Sequence, residues 1–246
     1  MKRKQHLAII IILILGFALR MISAVSHSFS SDELSAITRL NYNSLTALLE
    51  FGVKTGDMHP AGVQLFMKLW SNLFGTSEFA MRFPFVVFGT AAIFVIYLIG
   101  KRYSHPVGLF SSALWAVLLF PIIQSELARP YSPGLLFTLL SAYFIIKFVQ
   151  DPLTKRQSIL TIIGLSLSVA ACMYTHYFAF ITVGFMGISS LFFIPKKRLK
   201  LYITSGLIAI LLFSPHISIT SYQVGIEGGI QWLSPPGSWW LFEFLY

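Results

Sequence analysis

The sequence has one cysteine, Cys172, and few charged residues for a chain of 246 residues. A single cysteine excludes a disulfide framework and a cysteine-based metal cluster, and it leaves the redox compartment undetermined. Lys, Arg, Asp and Glu make up 11% of the chain, with nine acidic residues against 18 basic ones. An average soluble domain has about 25% charged residues, so this composition excludes an ordinary soluble protein.

The sequence also lacks internal repeats, low-complexity tracts and linkers that would separate a second, soluble domain. Its net charge of +9 is not accompanied by interleaved basic and aromatic residues or by zinc-knuckle spacing. A nucleic-acid partner is therefore not indicated. We predict one domain over residues 1–246.

Long apolar runs recur along the chain, which is 56% hydrophobic and has a mean hydropathy of +0.75. Each run approaches the roughly 20 residues that a helix needs to cross a bilayer. The sequence therefore predicts an all-α polytopic membrane protein with about 7–8 transmembrane helices. The predicted spans are 7–25, 83–99, 107–123, 133–149, 158–174, 177–194 and 201–219, and 239–246 begins an eighth.

Basic residues favour one side of the predicted membrane. With a cytoplasmic N-terminus, twelve of the 18 Lys and Arg residues lie in cytoplasmic segments, as the positive-inside rule requires. Every acidic residue except Asp151 then lies outside. We predict a multi-pass protein of the plasma (inner) membrane with its active site on the outer, periplasmic side. The twelve basic residues are Lys2, Arg3, Lys4, Lys101, Arg102, Lys147, Lys155, Arg156, Lys196, Lys197, Arg198 and Lys200.

The first apolar run also fits a signal peptide. Lys2 and its basic neighbours precede it, and Ala24-Val25-Ser26 resembles a cleavage site. Retention as an anchor is favoured, because the run reaches about 19 residues when Arg20 lies near the outer interface.

The first outer loop, residues 26–82, is predicted to contain amphipathic helices beside the membrane. Ser30 and Glu33 have the spacing of a capping box, which places Asp32 in the first turn of a helix. A second helix is predicted over 60–74, with Pro60 near its first position. Its apolar residues are expected to share one face that lies in the interface. They are Leu65, Phe66, Leu69, Trp70, Leu73 and Phe74.

Two acidic clusters, Asp32-Glu33 and Asp57-Met58-His59-Pro60, lie in this loop of an acid-poor chain. Helix capping alone accounts for Asp32 and Glu33, because carboxylates satisfy free N–H groups at a helix N-terminus. Asp57 allows the same explanation, and His59 then is a polar loop residue. Capping and catalysis are compatible, so the question is whether either acid also faces a cavity.

A third cluster, residues 124–131, joins two spans on the same outer side and contains Glu126, Arg129 and Tyr131. One alternative is a local ion pair between Glu126 and Arg129, and another is snorkelling of the arginine. A guanidinium group also matches phosphate oxygens in bidentate geometry. Carboxylates and an arginine at one membrane face suit transfer from a phosphorylated lipid.

Five motifs occur in an order that resembles the GT-C glycosyltransferases. The nearest resemblance is to the N-terminal half of bacterial relatives of protein O-mannosyltransferases and of lipid A aminoarabinose transferase. The resemblance covers most of the chain. The motifs are Asp32-Glu33, Gly56-Asp57-Met58-His59-Pro60, Ser77-Glu78-Phe79-Ala80-Met81-Arg82-Phe83-Pro84, Ala128-Arg129-Pro130-Tyr131 and Tyr174-Thr175-His176-Tyr177.

The resemblance implies transfer of a sugar, with inversion, from a polyprenyl-phosphate donor to a lipid, glycan or protein acceptor. It implies that Asp32, with Glu33 beside it, is the catalytic base that takes the acceptor's proton. Arg129, with Arg82, would stabilise the departing phosphate. The substrate-binding residues expected in this family are Asp57, His59, Arg82, Glu126, Arg129, Tyr131 and His176.

The resemblance leaves a divalent metal open, with Asp57, His59 and His176 as candidate ligands, because some related enzymes use one. No diagnostic ligand spacing supports it. Ala61 replaces the family's usual second proline, which leaves the role of His59 uncertain. An alternative for His176 is membership of the interfacial aromatic belt with Tyr174 and Tyr177.

Members of this family are usually longer, so we expect this chain to represent an N-terminal portion. Residues 225–237 are expected to form a further outer loop. A lipid or glycan transporter or flippase is a rival hypothesis, although the acids cluster at one face and no inverted repeat is visible. A noncatalytic membrane scaffold is another.

Overall fold

The computed structural model describes residues 2–225 together with Gly237 and Trp239. Within these residues the chain forms helices and no β-strand. Helices suit a bilayer, because each satisfies its own backbone N–H and C=O groups. The α-helices are α1 Lys2–Ala24, α2 Ser31–Thr38, α3 Leu45–Ala47, α4 Ala61–Phe74, α5 Glu78–Gly100, α6 His105–Val117, α7 Leu119–Glu126, α8 Tyr131–Gln150, α9 Lys155–Thr175, α10 Tyr177–Ser190, α11 Lys196–Phe213 and α12 Ile217–Gly225.

Among the described residues, five helical segments are long and apolar enough to cross a membrane, and a sixth forms if α6 and α7 are counted together. This confirms a polytopic helical membrane protein. The count is lower than the seven predicted spans, because the segment predicted over 177–194 contains only the 14-residue helix α10. At 1.5 Å per residue such a helix is about 21 Å long, shorter than a bilayer core of about 30 Å. The eighth predicted span lies outside the described residues except for Trp239.

The predicted span over 107–123 is broken into α6 and α7, whose axes differ by 62°. Leu118 at the break has an extended backbone. Pro121 lies four residues after Val117, so it cannot donate to the Val117 carbonyl and its ring obstructs a continuous helix. The proline accounts for a break that hydropathy alone does not predict.

The outer loop is built as predicted around Ser30 and Pro60. The Ser30–Glu33 capping box is formed, with both reciprocal hydrogen bonds present. A 3-10 helix, Arg39–Asn41, follows α2, and a π-helix, Leu48–Lys54, follows α3. The predicted helix over 60–74 is confirmed as α4, with Pro60 as its N-cap.

The apolar residues of α4 do not share one face. Phe66 and Trp70 pack against a buried cluster formed with α2 and α5, whereas Leu69 and Leu73 are exposed. The Trp70 indole donates to the Ala80 carbonyl over 2.8 Å. That carbonyl lacks a helical partner, because residue 84, four positions later, is a proline.

The bundle packs around α5, α8 and α9. Helix α5 contacts α1, α6 and α8, and α9 contacts α8, α10 and α11. The loop carrying Asp57 and His59, the α7–α8 connection and the α9–α10 connection meet at one end of this arrangement. The candidate residues are therefore brought together by three separate connections.

Candidate functional site

Glu33 is fully buried and pairs with Arg82. The two carboxylate oxygens accept from Arg82 Nε and Nη2, each over 2.8 Å. They also accept from the backbone N–H of Ser30 at 2.9 Å and of Ala128 at 3.0 Å. Burial alone raises the pKa of the Glu33 carboxyl, but the hydrogen bonds from Arg82, Ala128 and Ser30 outweigh burial and hold the pKa below its ordinary value. Glu33 is therefore ionised. It links α2 to α5 through Arg82 and to the α7–α8 connection through Ala128.

Arg82 has no donor left for a substrate. Its Nη1 donates to the carbonyls of Ala24 and His27, and its Nη2 donates to that of Ser28 as well as to Glu33. With Nε on Glu33, all five guanidinium N–H groups are used. The geometry therefore does not support the expected contacts of Glu33 and Arg82 with a substrate.

Asp32 differs from its neighbour Glu33 in being exposed. It lies in the first turn of α2, and within the described residues its carboxylate makes no hydrogen bond or ion pair. Its backbone carbonyl lies 3.5 Å from Arg129 Nη1. Asp32 is thus adjacent to Arg129 through its backbone, and its carboxylate lines neither the cleft nor the pocket described below.

Asp57 and His59 form a hydrogen-bonded pair, with 2.8 Å between Asp57 Oδ1 and His59 Nδ1. Arg39 Nη1 donates to the other Asp57 oxygen, also over 2.8 Å. Burial alone raises the pKa of Asp57, but the hydrogen bond and charge of His59 and the charges of Arg39 and Arg129 keep it below its ordinary value. An ionised carboxylate only accepts hydrogen bonds, so the His59 proton is on Nδ1. His59 Nε2 is the ring nitrogen that this pairing leaves available.

Arg129 is 7% exposed and poorly partnered. Its Nη2 lies 3.4 Å from His59 Nδ1, but both atoms carry hydrogens, so this contact joins two donors and is not a hydrogen bond. Its Nε has no partner within the described residues. The only remaining contact is the 3.5 Å approach to the Asp32 carbonyl. A buried guanidinium in this state has unused capacity for an anion.

His176 and Tyr131 complete the outer cluster. The His176 ring lies 5.1 Å from the ring of His59 and 6.1 Å from that of Tyr131, measured between centroids. Burial, with the charges of His59 and Arg129, lowers the pKa of His176 to about 4. His176 Nδ1 accepts from the Phe178 N–H and so caps α10. The residue is neutral at physiological pH.

An apolar cleft of about 620 Å³ reaches this cluster between α7, α8 and α10. Its lining is mostly apolar, with Tyr131 and His176 at one part of the wall. A much smaller pocket beside it, of about 10 Å³ and thus with room for about one water molecule, is lined by Asp57, His59 and Arg129. Pro130 lines both spaces, so the apolar cleft and the polar pocket adjoin.

Glu126, expected to bind substrate, is partly buried at the end of α7. It forms no ion pair with Arg129 in the described structure, and its buried Oε2 has no hydrogen-bond partner there. The predicted local pair at spacing three is therefore absent, because α7 ends at Glu126 and Leu127 is extended.

The predicted metal ligands do not form a metal site. Among the residues that the structure describes, no group of three or more His, Cys, Asp or Glu side chains is placed to hold an ion. The Asp57 carboxylate is occupied by Arg39 and His59. Within the described part of the chain, His59 and His176 are left without a third ligand.

Four residues that support the site were not predicted from the sequence: Arg20, Arg39, His216 and Gln223. Arg20 is buried in α1 and donates to Ser125 Oγ and to the carbonyls of Ala116 and Trp115, at the α6–α7 break. An ionisable residue inside an apolar span is a signal that could have identified Arg20. No local sequence pattern identifies Arg39, His216 or Gln223, because their partners are distant in sequence or lie in an irregular loop.

The bundle and its site define a helical membrane protein with a buried, incompletely partnered arginine close to an apolar cleft. Residues 58–219, more than half of the chain, match the family model described as dolichyl-phosphate-mannose-protein mannosyltransferase. The chain belongs to this family, which confirms the resemblance to membrane glycosyltransferases. No curated protein and no solved structure matches the chain. The family match begins at Met58 and does not include Asp32.

Proposed function

We propose that the protein transfers a sugar from a polyprenyl-phosphate donor to an acceptor at the outer face of the membrane. The observation that carries this proposal is Arg129, whose buried Nε has no partner within the described residues and which lines the small pocket next to the apolar cleft. A lipid phosphate supplies both missing elements, an anion for the arginine and a hydrocarbon chain for the cleft. Membership of a mannosyltransferase family supports the reaction class.

Arg129 is assigned to the donor phosphate. Its Nε has no partner, and a phosphate oxygen accepts well from a guanidinium edge. As the bond between the sugar and the phosphate breaks, the bridging oxygen keeps the electron pair and gains negative charge. A fixed guanidinium stabilises that charge more in a buried site than it does in water. Arg129 therefore favours the transition state over the bound donor.

Asp32 is assigned as the general base. The acceptor oxygen forms a bond to the anomeric carbon while its proton moves to the Asp32 carboxylate and polyprenyl phosphate departs. A positioned base contributes about 10²–10⁴-fold to such a step. Asp32 suits this role because it is exposed and unpaired, whereas Glu33 beside it is committed to Arg82. A single displacement of this kind inverts the anomeric centre.

His59 and His176 are assigned to substrate positioning. Asp57 holds the His59 Nδ1–H, which directs Nε2 away from the carboxylate. His59 Nε2 is then the ring atom left to hydrogen-bond a sugar hydroxyl. His176 and Tyr131 lie where the polar pocket meets the cleft, between the sugar and the lipid chain.

The charge pattern supports an outer location. Basic residues accumulate at the ends of the bundle near Arg102, Lys155 and Lys196, and the site lies at the opposite ends of the same helices. A cytoplasmic location for the basic ends satisfies the positive-inside rule. The donor would then be a lipid-linked sugar rather than a nucleotide sugar.

The test uses the full chain in lipid nanodiscs with polyprenyl-phosphate mannose and a membrane lipid and peptide extract as acceptors. Release of polyprenyl phosphate is expected from the wild-type protein and is reduced about 10²–10⁴-fold by Asp32→Asn with donor binding retained. Arg129→Gln is expected to weaken binding of polyprenyl phosphate at least about tenfold.

Arg102→Gln is the matched control, because it removes an arginine from an ion pair with Asp151 at the other end of the bundle. It is expected to leave release and binding unchanged. Undiminished release by Asp32→Asn would contradict the assigned base. Movement of intact donor across the bilayer without cleavage would support a flippase instead.

A further inference from the structure

The loop that carries Asp57 and His59 is held by side chains from the last described helix. This loop, residues 55–60, follows the π-helix and precedes α4 without regular structure of its own. Irregular backbone beside a membrane needs hydrogen-bond partners from elsewhere in the protein. Gln223 of helix α12 and His216 of the 3-10 helix Ser214–His216 just before it supply them, more than 150 residues later in the sequence.

Gln223 is the first of these partners and is 5% exposed. Its Nε2 lies within hydrogen-bond distance of three carbonyls, at 2.9 Å from Val53, 2.8 Å from Asp57 and 3.3 Å from His59. Its Oε1 accepts from the Tyr177 hydroxyl. The opposite amide orientation would place Oε1 against three carbonyl oxygens, so the orientation of Gln223 is determined by its surroundings.

His216 is the second partner and is 2% exposed. Its Nε2 accepts from the Ala61 backbone N–H over 2.9 Å, which is one of the N–H groups that α4 leaves free at its start. The proton of the neutral ring is therefore on Nδ1, which lies 2.9 Å from Thr220 Oγ1. Pro60, the N-cap of α4, has no side-chain cap, so His216 takes over that function.

These contacts reach the proposed donor site through the backbone. Gln223 holds the carbonyls of Asp57 and His59, and the side chains of these two residues form the pair beside Arg129. A displacement of the loop would separate His59 from Arg129 and His176. The family match ends at residue 219, so Gln223 lies outside it.

We propose that α12 is a latch on the Asp57–His59 loop, with Gln223 as a positioning residue for the donor-phosphate pocket. The pocket function rests on the proposed glycosyl transfer, whereas the latch itself is a property of the fold. Gln223 acts through the loop and does not contact the donor. Loss of its amide removes the side-chain donor from the Asp57 and His59 carbonyls, whereas the Val53 carbonyl keeps the Asp57 N–H, and the loop is freed to move.

The latch is tested by cysteine accessibility, because the only native cysteine, Cys172, is fully buried. Met58→Cys places a thiol in the loop, and its rate of reaction with a water-soluble maleimide is measured on the full chain in nanodiscs. Gln223→Leu is expected to raise this rate about tenfold, since it replaces the amide with an apolar group of similar size. Val224→Ala is the control, because Val224 is 77% exposed on the same helix.

Tyr177→Phe provides a second variant that removes only the hydroxyl that orients the Gln223 amide. It is expected to raise the rate less than Gln223→Leu does, and it serves if Gln223→Leu does not fold. Labelling rates equal to that of the Val224→Ala control in both variants would overturn the latch.

Binding of decaprenyl phosphate separates the two proposals. We expect Gln223→Leu to weaken this binding about tenfold while the melting temperature stays within a few degrees of wild type. If Gln223→Leu is labelled faster but the wild-type protein does not bind decaprenyl phosphate, the latch is supported and the proposed donor is contradicted. Wild-type binding with unchanged labelling contradicts the latch and leaves the donor site supported.

Discussion

At the scale of single residues, two buried arginines at the outer end of the bundle differ in their partners. All five N–H groups of Arg82 donate to Glu33 or to backbone carbonyls. Arg129 has one long contact to a carbonyl and an unpartnered Nε. The first arrangement stabilises the fold, and the second is suited to binding an anion.

Glu33→Gln is expected to destabilise the protein by about 3–5 kcal/mol, because it leaves the Arg82 charge buried without its counter-charge. The measurement is the free energy of unfolding in mixed micelles. Asp32→Asn, one residue earlier and exposed, is the control and is expected to change stability by less than about 1 kcal/mol. The double variant Glu33→Gln with Arg82→Met is expected to recover part of the loss. Equal effects of Asp32→Asn and Glu33→Gln would contradict a structural role for Glu33.

The His176 pKa, lowered to about 4, predicts a pH dependence of stability. The unfolded chain binds a proton near the ordinary value of 6.5, whereas the folded chain does not until pH 4. Stability is therefore complete above pH 6.5 and falls as the pH decreases from 6.5 to about 4. His176→Asn is expected to flatten this part of the unfolding profile. An unchanged slope in the variant would show that His176 is not responsible.

At the scale of elements, the broken pair of helices α6 and α7 forms one wall of the cleft. Arg20 donates to the carbonyls of Trp115 and Ala116 near the end of α6 and to Ser125 on α7. These carbonyls lack helical partners because α6 stops at Val117. A buried cation thus stabilises a break that a bilayer would otherwise oppose.

Gly89 allows α5 to approach α7 at this point. A Cβ on Gly89 would lie 2.1 Å from Ser125 Oγ, so Gly89→Ala is expected to cost about 1–3 kcal/mol of stability through overpacking. Adding Ser125→Gly is expected to relieve most of the steric cost. Gly184→Ala, where no atom lies within 4 Å of the new Cβ, is the control and should be neutral. The melting temperature is measured for Gly89→Ala, for the double variant with Ser125→Gly and for Gly184→Ala. Equal decreases in melting temperature for Gly89→Ala and Gly184→Ala would contradict the close approach.

At the scale of the whole molecule, the helical ends divide into a basic end and an end that carries the site. The proposed orientation predicts that Thr76→Cys, in the exposed α4–α5 connection, reacts with an impermeant maleimide on sealed right-side-out vesicles. Lys155→Cys, at the start of α9, is expected to react only after permeabilisation, because the basic end faces the cytoplasm. The reverse pattern would invert the topology and remove the outer donor site.

Much of the architecture could be predicted from local sequence. The membrane class followed from apolar runs, and the Ser30–Glu33 capping box and α4 followed from residues three to four positions apart. The break at Leu118 and the shortness of α10 were missed, because hydropathy averages over a window and does not register one proline or one early helix end. The capping-box position of Glu33 could be predicted, but its pairing with Arg82, 49 residues later, could not.

The sequence by itself determined a helical membrane protein with a charge asymmetry and an acidic outer loop. These properties depend on composition and short-range spacing, which survive any packing of the helices. Only the tertiary structure decided which carboxylate and which arginine are free, because their partners lie 49 to 97 residues apart. It also decided that Gln223 holds the Asp57–His59 loop, a contact across more than 160 residues. Whether a charged group is free to bind a ligand depends on its neighbours in three dimensions, and no local sequence pattern predicts it.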